Sequence, residues 1–86
     1  MPTICSFLGI VIRMYFDEHA PPHFHVIYNE YEATNTIEGL EVLKGKLPGR
    51  VLGLVVEWAV SHQNELNRNW DLCEQHEQPI KIAPLV

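Results

Sequence analysis

Ile10-Val11-Ile12-Arg13-Met14-Tyr15-Phe16 and, across a short loop, His23-Phe24-His25-Val26-Ile27-Tyr28 decide the fold. Both runs are dominated by β-branched and aromatic residues, which fit a pleated, half-buried surface. Successive side chains on a strand point to opposite faces, so Ile10, Ile12, Met14 and Phe16 form one set and Val11, Arg13, Tyr15 and Asp17 the other. The first set reads as core. In the second run Phe24, Val26 and Tyr28 are the apolar set, which leaves His23, His25 and Ile27 on the opposite face. Between the runs, Pro21-Pro22 forbids helix and ladder alike and holds the chain extended.

Upstream, the residues from Thr3 read as another strand, joined to the first run by a tight turn at Leu8-Gly9. Downstream, a turn at Asn29-Glu30 leads to a strand from Tyr31 to Ile37 with Glu32, Thr34 and Thr36 as its polar set, and a short fifth strand is expected around Glu41 to Leu43. From Pro48 the period changes. Leu52, Val55, Ala59, His62, Leu66, Trp70 and Cys73 recur at spacings of three and four, the stripe of a helix. That stripe is compatible with one long helix or with two joined near Ser61 to Asn64, where helix formers thin out. Pro79 ends it, and Ile80 to Val86 reads as an extended tail. The expectation is an α+β fold: an antiparallel four- to five-stranded meander with one long or kinked C-terminal helix packed on one face, residues 1–86 forming a single domain.

A hydrophobic fraction of 47% excludes a disordered chain. A net charge of −5 with only six Lys and Arg excludes the basic stripe that duplex nucleic acid needs, although one nucleotide or phosphate remains within reach of a local site. Two isolated cysteines, Cys5 and Cys73, make neither a disulfide framework nor a metal knuckle and read as small core residues. No basic stretch leads into an apolar signal region, and no segment approaches the roughly 20 apolar residues that span a bilayer. A cytoplasmic protein without membrane contact is expected.

If the two deciding runs pair, Arg13 and Tyr15 lie beside His23 and His25 on the face the helix leaves uncovered. Three chemistries suit that set. Histidines at i and i+2 of a strand point the same way, so His23 and His25 form part of a divalent-metal site that His19 or a loop carboxylate completes, with Asp17 and Glu18 at the rim. Alternatively Arg13, Tyr15, His23 and His25 act as a catalytic set on a phosphodiester, a histidine moving the proton and Arg13 steadying negative charge. The third is protein binding through aromatic and Arg anchors. Against all three stands the plain reading of His23 and His25 as solvated strand residues. Elsewhere His62 reads as a satisfied core histidine, His76 as a complement to the helix dipole, and Trp58 and Trp70 as core or partner-facing. Exposed edge strands also leave homodimerisation or strand addition open.

Met1-Pro2-Thr3-Ile4, Gly9-Ile10-Val11-Ile12-Arg13-Met14-Tyr15, the segment from Glu18 to Val26 with its Pro21-Pro22-His23-Phe24-His25 core, Leu47-Pro48, Glu57-Trp58-Ala59, Asn69-Trp70 and Ile82-Ala83-Pro84-Leu85 together resemble the prokaryotic domain-of-unknown-function family 4160. The resemblance spans nearly the whole chain. It implies the toxin-like half of a two-gene toxin–antitoxin module, binding a cognate small antitoxin, with Tyr15, His19, Pro21, Pro22, His23, Phe24 and His25 as the positions that match the family's most recognisable segment. Asn35-Thr36 departs from the more apolar or acidic pattern of that family. The acidic balance of the chain disfavours direct attack on RNA, and the alternative to a toxin is a non-enzymatic metal- or protein-binding module.

Overall fold

The computed structural model describes residues 2–86. Five strands, β1 (Thr3–Phe7), β2 (Ile10–Arg13), β3 (His23–Tyr28), β4 (Tyr31–Thr36) and β5 (Val42–Lys46), precede two helices, α1 (Gly49–Val60) and α2 (Gln63–Glu74). The strands lie side by side in chain order, each antiparallel to the next. The fold is α+β, as the change of period at Pro48 predicts. The β1–β2 hairpin turns at Leu8 and Gly9, both at positive φ, which suits a tight turn between twisted strands.

Two departures from regular pairing shape the sheet. Thr3 faces Arg13 while Cys5 faces Ile12, so Ile4 is an extra residue in β1. This bulge lets both Ile4 and Cys5 be buried. On the other side Thr34 faces Lys44 while Asn35 faces Val42, which makes Leu43 the extra residue in β5. Gly45 follows at φ +80, and a Cβ there would lie 2.2 Å from the Glu32 carbonyl oxygen, so only glycine fits. The fifth strand accordingly runs from Val42 to Lys46, starting one residue and ending three residues beyond the expected Glu41 to Leu43.

One face of the sheet carries Ile10, Ile12, Met14, Phe24, Val26 and Ile37 into a core closed by Val51, Val55, Trp58, Leu66 and Cys73 from the helices. Phe16 does not join it. The expected alternation fails there because β2 ends at Arg13, and Phe16 stacks instead on His76 at 38% exposure. The helical stripe is divided between two helices. The amides of Ser61 and His62 turn back to the carbonyls of Trp58 and Ala59, three residues earlier, and His62 leaves helical geometry at φ −132 before its own carbonyl starts α2. His62 is therefore a junction residue, hydrogen-bonded to Glu65 and set against the Trp58 ring, and not a core histidine.

The last residues close the first edge of the sheet. Ile82 donates its amide to the Ile4 carbonyl, Trp58 Nε1 donates to the Ala83 carbonyl, and the buried Asn69 side chain both donates to and accepts from the Ile80 backbone, each at 2.8 Å. Three buried polar groups are thereby satisfied. Among the described residues no helix is long and apolar enough to cross a membrane.

Candidate functional site

His23 and His25 sit one pleat apart on β3 and project to the same side, with ring centroids 5.3 Å apart. The loop from β2 brings Glu18 back over them. Its Oε1 lies 3.3 Å from His23 Nε2 and in hydrogen-bonding contact with His25 Nε2. The three side chains are mostly enclosed, at 8%, 14% and 27% exposure for His23, His25 and Glu18. One ligand atom from each lies within 4.8 Å of the other two. Glu18, a loop carboxylate, is thus the third member of the cluster, and His19 is exposed to solvent outside it.

The outer nitrogens are also engaged. His23 Nδ1 donates to the Pro21 carbonyl at 2.7 Å, and His25 Nδ1 lies 3.5 Å from Thr34 Oγ1. A carbonyl oxygen only accepts, so the proton of a neutral His23 is on Nδ1 and its Nε2 lone pair faces the Glu18 carboxylate. Two acceptors facing each other at 3.3 Å repel unless a proton or a cation stands between them. The loop that creates this meeting contains a cis Ala20-Pro21 bond and Asp17 at φ +59, a conformation that aspartate tolerates better than most residues.

Burial opposes ionisation of Glu18, but hydrogen bonds from His25 and His23 and their charges outweigh it, holding the carboxyl below its ordinary range. The two thiols are different. Burial pushes both Cys5 and Cys73 up, which makes them unreactive core groups.

Of the other expected site residues, Tyr15 is in place, its ring centroid 4.3 Å from that of His25. Arg13 lies directly opposite His25 in the β2–β3 register, but its Nε donates away from the cluster, to Thr3 Oγ1 at 3.3 Å. Trp70 from α2 covers the far side of the His23 ring at 5.0 Å, which explains why a first-strand-position histidine is buried. His76 lies past the end of α2 and reaches Asp17 at 2.7 Å, tying the residue before Glu18 to the segment after the helix, a role distinct from helix-dipole compensation. A groove of about 340 Å³ opens beside His25 between β4 and β5 and is lined also by Glu32, Thr34 and Lys44. A larger cleft, about 640 Å³, lies elsewhere, between Pro21-Pro22 and the start of α2, and its only titratable lining residues are Glu38 and Glu41.

Comparison with known proteins adds one finding. A family model described as "Domain of unknown function (DUF4160)" matches residues 9–71, a span that holds the whole cluster and α1. No curated protein and no solved structure matches the chain.

Proposed function

Because the chain belongs to the DUF4160 family, whose description assigns no activity, we propose a function from the geometry itself: a divalent transition-metal-binding protein whose ion is held by Glu18, His23 and His25. The observation that carries this reading is the orientation of the two imidazoles. Both turn Nε2 toward one carboxylate oxygen, and the His23 proton is fixed on the far nitrogen by a backbone carbonyl. Metal-bound histidines behave in this way, their second N–H donated to a carbonyl or carboxylate that sets the tautomer. The His23–Glu18 separation fits as well, while His25 Nε2, in direct hydrogen-bonding contact with the same oxygen, must draw back from it to admit an ion. Bonds of about 2.0–2.1 Å in tetrahedral array place neighbouring ligand atoms roughly 3.3 Å apart, and His23 Nε2 lies 3.3 Å from Glu18 Oε1. Two imidazoles and one carboxylate leave positions for water or substrate, and this donor set suits zinc or iron(II) better than calcium or magnesium.

The test is equilibrium dialysis of chelator-stripped protein against cobalt(II) or zinc(II), followed by elemental analysis. One ion per chain is expected in the native protein and in His19→Ala, with loss in His25→Ala and Glu18→Ala. Equal occupancy in all four proteins would overturn the assignment. As the cellular setting of this centre we propose the toxin-like role in a two-gene module that the sequence resemblance implies. There a cognate antitoxin in the cytoplasm would be the partner.

A further inference from the structure

The strand register places Thr3 opposite Arg13, Arg13 opposite His25, His25 opposite Thr34 and Thr34 opposite Lys44. These five residues form one row across all five strands, on the face that carries the Glu18 cluster. Adjacent strands are about 4.8 Å apart, so the two cations flank the row with roughly 14 Å between their backbones. The row contains two of the six Lys and Arg residues of a chain with net charge −5, and no acidic residue. Neither cation forms an ion pair among the described residues. Lys44 lines the same groove as His25 and Thr34, together with Glu32, which stands opposite Lys46 in the β4–β5 register and forms no ion pair among the described residues.

We propose that this groove is a binding site for a phosphoryl oxyanion, with Lys44 as its charge partner, Thr34 as a hydroxyl donor, and one anion oxygen completing the coordination of the metal beside His25. This rests on the metal reading of Glu18, His23 and His25 and supplies its substrate class. An isolated lysine on an edge strand often serves only to discourage sheet-to-sheet aggregation. Two features point beyond that role: Lys44 shares its groove with a histidine whose Nε2 lies in the metal cluster, and the Leu43 bulge with its obligatory glycine sets Lys44 in the row. Phosphate binds such sites through charge-assisted hydrogen bonds, which are the strong ones.

The probes are inorganic phosphate and phenyl phosphate, titrated into cobalt(II)-loaded protein and followed by the cobalt absorption spectrum and by calorimetry, with acetate as a carboxylate control. Both phosphates are expected to perturb the spectrum and to bind more tightly than acetate. Lys44→Gln is expected to weaken phosphate binding about tenfold or more, the scale of one lost charged hydrogen bond, while cobalt affinity stays within about twofold. Arg13→Gln should give a smaller loss. Cobalt binding with no phosphate binding, or phosphate bound equally by native and Lys44→Gln proteins, would overturn the anion site and leave the metal site standing. Failure to bind cobalt would overturn both.

Discussion

Asn35 is fully buried on the core face of β4, between Ala33 and Ile37 and opposite Phe24, and neither its Oδ1 nor its Nδ2 has a hydrogen-bond partner among the described residues. Each buried polar group left unsatisfied costs about 1–3 kcal/mol. Asn35→Val removes both groups, keeps a side chain of comparable size, and introduces a β-branched residue where strands favour one. A gain of about 2 kcal/mol corresponds to a rise in Tm of about 8–16 °C for a domain of this size. Thermal unfolding by circular dichroism of native, Asn35→Val and Asn35→Asp proteins measures it, with Asn35→Asp expected well below native because an unpaired charge replaces an unpaired amide. Metal stoichiometry should not change, since Asn35 points away from Glu18 and the two histidines. A Tm for Asn35→Val at or below native would refute the reasoning, because it would mean that the carboxamide is engaged in an interaction the fold needs.

Two further outcomes follow from the site. In metal-free protein the Glu18 carboxyl stays ionised below its ordinary range, so the unfolded chain binds the extra proton as pH falls. The stabilisation is present above the usual glutamate value of about 4.3 and is lost as pH drops through the lower folded-state value. Urea unfolding with a chelator present, from about pH 6 to about pH 3, should show a steeper loss in native protein than in Glu18→Gln; equal slopes would remove Glu18 as the cause. On the cellular side, induced expression in a bacterial host should slow growth, and the His23→Ala, His25→Ala double change should relieve the effect. Growth unaffected by native protein would end the toxin reading while leaving the metal site intact.

The alternation of Val11, Arg13, Tyr15 against Ile10, Ile12, Met14, and of His25 and Ile27 against Phe24 and Val26, was legible in the chain because a strand obeys a strict two-residue period and one face is dry. Phe16 fits the same period and yet lies outside the core, since a period describes side-chain direction only while the strand lasts. The helix break is legible only as one of two alternatives, a junction near Ser61 to Asn64, for a related reason. His62 and Leu66 keep the spacing of the stripe across the junction, and the local signal, Ser61 followed by His62, is weak. Glu18 is harder still. Alternation says nothing about a loop, and the choice between Glu18 and His19 as third member of the cluster depends on φ at Asp17 and on the path through Pro21-Pro22.

Lys44 could not be placed at all from the pattern, and the reason exposes what organises the working face. With regular pairing throughout, the register of Cys5 with Ile12 would set Ile4 opposite Arg13, and that of Asn35 with Val42 would set Leu43 opposite Thr34. A one-residue slip moves a side chain to the other face of the sheet, so each bulge replaces an apolar neighbour in the row by a polar one: Thr3 for Ile4, Lys44 for Leu43. The same bulges give the extra residue a separate fate, Ile4 in the core and Leu43 at the open edge. Two irregularities on opposite sides of the sheet therefore converge on one result, a polar row with His25 at its centre and a cation on either side. The row depends on Gly45: any side chain there meets the Glu32 carbonyl and forces the β4–β5 register to change, carrying Lys44 away from the groove beside His25.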